Sequence, residues 1–210
     1  MSDLVEKLKK KGALNKKSLE RAFLKIKRKD FLPEDLKDLA KEDRPLPIGN
    51  KQTISQPSVV AFMLEKLGPE KDDVVLDIGF GSGWTTALLA DIVGKNGRIF
   101  AIERIKDLYE FGKENVEKFG FVSGGRVSMI LKDGFKGLPE RSPFDKILVS
   151  AALDSEPIPK SWINQLKEGG IMVVPVKNSI CKYVKKGNSL TKEEFPGFRF
   201  VPLVKEDNEK

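Results

Sequence analysis

Residues 76–86 read LDIGFGSGWTT, and this stretch decides the fold of the chain. The apolar run 74–78 is typical of a buried parallel strand, and residues 84–93 read as a helix. Between them lie three glycines, namely Gly79, Gly81 and Gly83. Glycine allows a tight turn and the close approach of a ligand, and the helix start offers N–H groups and a positive dipole end. The stretch therefore predicts a strand–turn–helix unit that binds a nucleotide or nucleoside.

An acidic residue follows this glycine loop at the spacing that nucleoside binding requires. Glu103 lies 20 residues after Gly83, at the end of the predicted strand 99–102, where its carboxylate can accept both ribose hydroxyl hydrogens. The NAD fingerprint G-x-G-x-x-G needs a third glycine where this chain has Trp84. The loop G-F-G-S-G, with Asp77 two residues ahead of it, instead resembles motif I of class I S-adenosylmethionine-dependent methyltransferases.

Strand and helix patterns alternate through the middle of the chain. The predicted strands are 74–78, 98–102, 126–130, 146–150 and 171–176, and the predicted helices are 84–93, 109–119 and 162–166. This alternation predicts an α/β domain with a largely parallel sheet.

The flanking regions follow different patterns. Amphipathic helices are predicted at 19–26 and 60–67, and the segment 41–57 between them contains several Pro and Gly residues, which predicts an ordered loop. Segments 180–184 and 198–204 predict strands with no helix between them. These two strands favour an antiparallel edge of the sheet.

Composition excludes several kinds of site. The 210 residues carry a net charge of +7 and include no His and a single Cys, Cys181. One thiol can form neither an internal disulfide nor a Cys-rich zinc site, and the absence of His excludes His-based triads and His general bases. We therefore expect no metal. The charged N-terminus lacks the apolar region of a secretory signal, and no apolar run approaches about 18 residues, so we expect a cytoplasmic protein without a membrane span.

The excess positive charge lies at the N-terminus. Residues 1–41 hold 13 Lys and Arg against 7 Asp and Glu. Such a region could meet nucleic acid, acidic protein or a membrane surface. Acidic residues are interleaved, however, and no aromatic residues accompany the Lys runs as they would on a stacking platform. A solvated helical face is therefore favoured, and nucleic acid is not the expected partner.

The segment before the glycine loop points to one family of methyltransferases. Residues 44–57, RPLPIGNKQTISQP, resemble the signature of protein-L-isoaspartate O-methyltransferases. The resemblance continues through LERAFLKIKRKDFLPE (19–34), VVLDIGFGSGWTTALLA (74–90), FDKILVSAA (144–152), PIPKSWINQLKEGGIMVVPV (157–176) and FRFVPLV (198–204). It covers roughly residues 4–204.

The resemblance implies a fold and a domain plan. The fold is α/β, a Rossmann-like seven-stranded methyltransferase sheet that is mostly parallel, with helices on both faces and an N-terminal helical extension. A single domain over 1–210 is expected. In it, 1–70 supply N-terminal helices and the substrate loop, 71–176 the cofactor-binding core and 177–204 the C-terminal strands, and 205–210 form a tail.

The resemblance also implies a reaction. A methyl group passes from S-adenosyl-L-methionine to the free carboxylate of L-isoaspartyl (or D-aspartyl) residues in damaged proteins, and S-adenosyl-L-homocysteine is the product. The ester then collapses to a succinimide, which can reopen to normal aspartate. The expected partners are isoaspartyl-containing peptides and damaged proteins, and the protein is expected to be a monomer.

This chemistry suits a chain without His. An isoaspartyl carboxylate has a pKa of about 3–4 and is already ionised at pH 7, so no general base is needed. An anion meets a sulfonium cation, and the exclusion of water should favour their reaction. The main task of the protein is then to align oxygen, methyl carbon and sulfur, which can contribute about 7–11 kcal/mol.

Site residues follow from the same resemblance. We assign the hydroxyls of Ser55 and Thr53, with N–H groups of the 53–56 loop, to hold the substrate carboxylate, and Ile54 to wall off the methyl group. The implied cofactor-binding residues are Asp77, Gly79, Phe80, Gly81, Ser82, Gly83, Trp84, Glu103, Arg104, Asp133 and Gly134.

Four of these residues also have a structural interpretation. Ser55 suits a helix N-cap, because Pro57 follows just beyond it. Asp77 can order the glycine loop through backbone hydrogen bonds, and Asp133 can be a turn residue. Trp84 can pack against the sheet.

The chain departs from the family pattern around the expected mouth of the site. Lys51 replaces the Gly of Gly-Gln-Thr-Ile-Ser, Phe80 stands where Thr is usual, and Trp-Thr-Thr at 84–86 replaces Tyr-Gln-Ala. The loop 153–156 is more acidic than usual. Other functions therefore remain open: a methyltransferase of the same fold acting on RNA or a specific protein, a catalytically inactive cofactor-binding adaptor, or an NAD-dependent enzyme.

Overall fold

The structure is a computed structural model that describes residues 3–187 and 189–204. In these residues the helices are α1 (Asp3–Lys10), α2 (Lys17–Lys25), α3 (Pro57–Leu67), α4 (Trp84–Val93), α5 (Lys106–Glu117) and α6 (Lys160–Gln165). The strands are β1 (Leu46–Gly49), β2 (Gln52–Ile54), β3 (Val74–Ile78), β4 (Arg98–Glu103), β5 (Val127–Leu131), β6 (Phe144–Val149), β7 (Leu166–Val176), β8 (Ser179–Lys186) and β9 (Ser189–Pro196). Short 3₁₀ helices are Arg28–Phe31, Glu34–Lys41, Gly134–Lys136 and Pro139–Arg141. The predicted tail at 205–210 lies outside the described residues.

Seven strands form one sheet in the order β5-β4-β3-β6-β7-β8-β9. β3 pairs in parallel with β4 on one side and with β6 on the other, and β5 and β7 extend the parallel part. β8 and β9 join antiparallel, so the predicted mostly parallel seven-stranded sheet is confirmed. Strand order reverses at β3, and α/β sheets place ligands in the crevice at the carboxyl ends of such strands.

Helices cover both faces of the sheet, but unequally. Successive side chains of β3 point to opposite faces. Val75 belongs to a hydrophobic core that also contains residues of α1 to α5. Leu76 belongs to a second core on the other face, which contains Trp162 of α6. The N-terminal extension therefore packs on the face that α4 covers, where the rings of Phe23 and Trp84 meet edge to face with 5.4 Å between centroids.

The segment 41–57 is more regular than the predicted loop. β1 and β2 form a two-stranded antiparallel hairpin, and the turn residues Asn50 and Lys51 have φ values of 50° and 58°. Leu46 and Ile48 are buried on one side of the hairpin while Pro47 faces out. A two-stranded ribbon tolerates proline at its edge, which is why the prolines did not prevent a strand here.

The strand predicted at 198–204 is wrong. The chain turns back directly after β8, and β9 occupies the sheet edge instead. Most residues of β9 are exposed on both faces, so the sequence shows no apolar alternation to reveal the strand. Residues 198–204 cross to the end of β6 instead, where Ala152 N–H donates to Val201 O at 2.8 Å and Leu203 N–H donates to Ala152 O at 2.7 Å.

Two further findings concern the whole of the described chain. None of its helices combines the length and the apolar character that crossing a bilayer requires. Across the same residues, no group of three or more carboxylates or thiols is arranged to hold a metal ion.

Candidate active site

A cleft opens at the carboxyl ends of β3, β4, β5 and β6, where the sheet topology favours a ligand site. It encloses about 890 Å³, part of it open to solvent. Three parts of the chain line this main cleft: the glycine loop and the ends of the neighbouring strands, the β1–β2 hairpin with the loop after it, and residues 201–204.

Eleven of the fourteen predicted site residues line this cleft. They are Thr53, Ile54, Ser55, Gly79, Phe80, Gly81, Ser82, Glu103, Arg104, Asp133 and Gly134. Asp77, Gly83 and Trp84 do not line it. The residues come from distant parts of the sequence, and the order of the sheet strands brings them together.

Glu103 anchors the glycine loop. Its side chain is 5% exposed, and its Oε2 accepts a hydrogen bond from Gly81 N–H at 3.0 Å. Oε1 accepts from Arg104 N–H at 2.8 Å and from Ile105 N–H at 3.0 Å. A carboxylate offers about four acceptor positions, so Oε2 keeps capacity for one further donor from the cleft. Glu103 can thus hold the loop and a ligand hydroxyl together.

The glycines allow this loop to form close to its neighbours. Gly81 has a φ of +52°, and a Cβ there would lie 3.3 Å from Ile48 Cδ1 of the hairpin. Gly83 has a φ of +82°, and a Cβ there would lie 2.7 Å from Val116 Cγ2 and 2.8 Å from Gly112 O of α5. Gly81 therefore serves the wall of the cleft. Gly83 serves the packing of α4 on α5 and not the ligand surface.

Asp77 supports the loop from beneath. It is fully buried, and its Oδ2 accepts a hydrogen bond from the Thr86 hydroxyl at 2.7 Å. Burial raises the pKa of Asp77 to about 7, the Thr86 hydrogen bond opposes this, and the charge of Glu103 adds to it. The structural interpretation of Asp77 is thus favoured, although it orders the start of α4 through a side chain and not through the backbone.

Trp84 does not face the cleft, contrary to the prediction. Its indole is 1% exposed, and its Nε1–H donates to Ile26 O at 3.2 Å, in the segment that follows α2. The first turn of a helix points side chains in several directions, and only those on one side can reach the ligand. Thr85, the next residue, lines the cleft instead.

The turn after β5 combines two functions. Asp133 lines the cleft, and its Oδ1 accepts from Phe135 N–H at 2.9 Å, which caps the short 3₁₀ helix. Gly134 lies so close to β3 that a Cβ would come within 2.3 Å of Ile78 Cγ2. Asp133 is therefore a turn residue, and it also lines the cleft.

The loop after β2 presents its hydroxyls without using them for helix capping. The N-cap of α3 is Gln56, and Asp43 Oδ1 accepts from Ser58 N–H at 2.9 Å. The capping interpretation of Ser55 is therefore wrong, because a distant carboxylate satisfies the helix start. The Ser55 hydroxyl has no hydrogen-bond partner among residues 3–187 and 189–204.

A second cavity, the outer hollow, adjoins the main cleft. Its lining includes Pro45, Gln56, Val59 and Asn178 together with residues 197–201. The residues that line both cavities are Thr53, Ser55, Ser150 and Val201. The sequence analysis missed Ser150 and the C-terminal residues. A polar residue at the carboxyl end of the predicted strand 146–150 was the available signal for Ser150, because carboxyl ends of strands face the ligand crevice.

Comparisons with known proteins agree with this site. The family described as Protein-L-isoaspartate(D-aspartate) O-methyltransferase (PCMT) matches residues 1–208. A protein-L-isoaspartate O-methyltransferase from Ignicoccus hospitalis is 38% identical over 210 residues, covering 98% of this chain and 97% of that protein. One from Methanopyrus kandleri is 39% identical over 209 residues, covering 97% and 91%.

A solved structure agrees as well. The crystal structure of a protein-L-isoaspartate O-methyltransferase from Plasmodium falciparum, in complex with S-adenosyl-L-homocysteine, superposes with a TM-score of 0.86 at 25% identity, covering 96% of each chain. The fold, the full-length match and the near-complete coverage agree with one another. The chain therefore belongs to the protein-L-isoaspartate O-methyltransferase family.

Proposed function

We propose that this protein transfers a methyl group from S-adenosyl-L-methionine to the free carboxylate of L-isoaspartyl (or D-aspartyl) residues in damaged proteins and so starts their repair. The observation that carries the proposal is the junction of the two cavities, which is lined by three hydroxyl side chains, Thr53, Ser55 and Ser150. A cofactor on the glycine-loop side and a peptide in the outer hollow would meet at this junction. Family membership supports the same chemistry.

The residues of the main cleft fit S-adenosyl-L-methionine. Gly79 and Gly81 expose main chain, and Glu103 keeps an acceptor position for a ribose hydroxyl. We assign Asp133 and Gly134 to the adenine side, where the family resemblance places them. When bound, the cofactor supplies a methyl group carried by a positively charged sulfur.

The substrate side needs donors and no base. The substrate carboxylate is ionised at neutral pH, so the chain has only to hold and orient it. The hydroxyl of Ser55 can donate to it, as can those of Thr53 and Ser150, and hydrogen bonds to charged groups contribute about 1.5–3 kcal/mol each. Ile54 is buried beside them and excludes water from this part of the wall. No imidazole is required, in agreement with a chain that has no His.

The direct test compares two peptides that differ only in one linkage. Labelled S-adenosyl-L-methionine is offered with an isoaspartyl peptide and with its normal-aspartyl twin. We expect a base-labile methyl ester on the isoaspartyl peptide alone. If neither peptide is methylated while S-adenosyl-L-homocysteine binds in calorimetry, the proposal is wrong, and RNA or an adaptor role becomes the next hypothesis.

The wider setting is part of the same proposal. We propose a monomer, because the main cleft and the outer hollow are each complete within one copy of the fold. We also propose that the protein acts in the cytoplasm, as expected from the sequence. We also propose that 1–70 supply the substrate loop, that 71–176 bind the cofactor and that 177–204 complete the edge. Size-exclusion chromatography with light scattering tests the monomer, and a dimer mass would contradict it.

A further inference from the structure

We propose that Arg28 is a positioning residue that holds the substrate loop in register with the cofactor-binding core, working together with Trp84. This inference rests on the proposed function, since β2 and the loop after it carry Thr53 and Ser55, two of the hydroxyls assigned to the substrate. Arg28 lies in the 3₁₀ helix Arg28–Phe31 and lines neither the main cleft nor the outer hollow. It acts through other residues and does not touch the reacting atoms.

The guanidinium of Arg28 bonds only to main-chain carbonyls. Nη1 donates to Glu42 O at 2.9 Å and to Ala40 O at 3.4 Å. Nη2 donates to Arg44 O at 2.8 Å and to Ser55 O at 3.1 Å. Arg28 is 2% exposed, and the carboxylates of Asp43 and Glu42 act on its charge from beyond direct ion-pair contact.

One nitrogen of this group closes the base of the β1–β2 hairpin. Arg44 lies two residues before β1 and Ser55 directly follows β2. Nη2 therefore ties together the two points at which the chain enters and leaves the hairpin. The hairpin carries Ile48, which contacts the glycine loop, and Thr53, which lines both cavities. Fixing its base sets the position of these side chains and of Ser55.

The other side of the guanidinium faces the cofactor-binding core. Its Cζ lies 5.8 Å from the ring centroid of Trp84, the first residue of α4 and the residue directly after the glycine loop. Trp84 is itself fixed by its hydrogen bond to Ile26 O and by the Phe23 ring. Arg28 thus bridges the start of α4 and the end of β2, the two elements that must be aligned for transfer.

Stability alone does not account for this arrangement. Burial of this charge is unfavourable, the attraction of the Asp43 and Glu42 carboxylates offsets it only in part, and the Nε of Arg28 is buried with no hydrogen-bond partner in residues 3–187 and 189–204. Burial lowers the pKa of Arg28 to about 10, so the side chain remains charged at neutral pH. Only a planar, multidentate donor reaches four carbonyls at once, and Lys cannot replace it in this role.

The test is the variant Arg28→Lys, with Arg126→Lys as matched control. Arg126 also has a buried Nε without a partner among the described residues, donates to Ala90 O at 3.1 Å and lies over the Phe121 ring, but it contacts neither the hairpin nor Ser55.

Misplacement of the substrate loop by about 1 Å can lower the rate about 100-fold. We expect Arg28→Lys to lower kcat/KM for an isoaspartyl peptide by about 30- to 100-fold, with most of the loss in kcat. The affinity for S-adenosyl-L-homocysteine should change by less than about threefold, and Arg126→Lys should leave both values within about threefold.

Two further measurements keep the proposal testable. Hydrogen exchange should be faster in Arg28→Lys for the amides of 46–56 and unchanged for those of 77–83, a readout that needs no turnover. Trp84→Phe, a milder change, should lower kcat/KM in the same direction by about 3- to 10-fold.

The outcomes separate the possible failures. If the wild-type protein methylates no isoaspartyl peptide, the proposed function fails, and hydrogen exchange still decides whether Arg28 fixes the hairpin. Wild-type kcat/KM and unchanged exchange in Arg28→Lys would overturn the inference. An equal loss of peptide activity and of S-adenosyl-L-homocysteine affinity would also overturn it, because Arg28 would then support the whole site.

Discussion

The two walls of the site differ in how the chain builds them. The cofactor wall comes from the carboxyl ends of neighbouring parallel strands, residues 78–85, 102–108 and 132–134, and its backbone is tied into the sheet, for example where Gly79 N–H donates to Ile102 O at 2.8 Å. The substrate wall gathers Ser55, Ser150 and Val201 from three distant segments. The pairing of consecutive strand–helix units therefore builds the first wall, whereas the second depends on contacts between irregular segments, such as those of Arg28.

Each wall is supported by one buried ionisable side chain: Asp77 beneath the cofactor wall and Arg28 beneath the substrate wall. In each, one atom (Asp77 Oδ1 and Arg28 Nε) is buried without a hydrogen-bond partner among the described residues. Burial raises the pKa of Asp77 to about 7 and lowers the pKa of Arg28 to about 10. Near neutral pH, Arg28 stays charged while Asp77 changes its protonation. The base of the cofactor wall is therefore sensitive to pH, and the base of the substrate wall is not.

The largest effect is expected from Glu103→Ala. The substitution removes the acceptor of three backbone N–H groups as well as the proposed ribose contact. Because hydrogen bonds to a carboxylate contribute about 1.5–3 kcal/mol each, affinity for S-adenosyl-L-homocysteine should fall by about 100-fold or more. Isothermal titration calorimetry measures this. Glu110→Ala, on an exposed position of α5, is the control and should bind like wild type. Affinity within threefold of wild type in Glu103→Ala would show that the cofactor wall does not depend on this anchor.

Asp77→Asn tests the foundation of the same wall through pH. In the unfolded chain the Asp77 carboxyl has a pKa of about 4, whereas in the folded protein its pKa is about 7. The folded state therefore binds more protons in this window, and the free energy of unfolding falls as pH rises from about 4 to about 7 and is then level. With about 1.4 kcal/mol per pKa unit, the total fall is on the order of 3–4 kcal/mol.

The measurement is the difference in Tm between Asp77→Asn and wild type at several pH values. Asn cannot ionise, so the variant should gain relative to wild type between pH 5 and pH 8. One kcal/mol corresponds to about 2–4 °C for a chain of this size, so the relative gain should reach several degrees. A Tm difference that does not vary with pH would mean that Asp77 does not titrate in this window.

The difference between the cofactor wall and the substrate wall also explains what the sequence could predict. The glycine loop, Glu103 and the parallel strands were predictable, because their signals lie within one strand–turn–helix pattern and at a fixed spacing. The prediction that Trp84 faces the cofactor was wrong, because a position next to the loop does not show which side of α4 a residue faces. Only the structure shows that this side is taken up by Phe23 and Ile26.

The substrate wall was less predictable for a different reason. Thr53 and Ser55 came from a family resemblance, whereas Ser150 and residues 201–204 reach the site only through the sheet order and the crossing after β9. Arg28 sat within a Lys-rich segment that suggested a solvated face. Its burial depends on carbonyls from 40 to 55, which no local pattern reveals.

Ser55→Ala and Ser150→Ala test whether the junction hydroxyls belong to the substrate wall. Each substitution should lower kcat/KM for an isoaspartyl peptide by about 10- to 100-fold, the value of one hydrogen bond to a charged group. Affinity for S-adenosyl-L-homocysteine should stay within about twofold. Ser189→Ala is the control, since that hydroxyl donates to Lys186 O beside the turn between β8 and β9. Weaker cofactor binding in Ser150→Ala with normal peptide kinetics would move Ser150 to the cofactor wall.

The smallest effect is expected at the tip of the hairpin. Asn50 Nδ2 lies 3.5 Å from Asp107 Oδ2 of α5, an exposed and long contact far from the base that Arg28 closes. Exposed polar contacts of this kind contribute about 0–1 kcal/mol, so Asp107→Ala should change kcat/KM for the peptide by less than about twofold. The measurement is the steady-state kcat/KM of Asp107→Ala compared with that of Arg28→Lys, because the two variants loosen the same hairpin at opposite ends. A loss in Asp107→Ala as large as that in Arg28→Lys would mean that the hairpin is held against the cofactor wall at its tip as firmly as at its base.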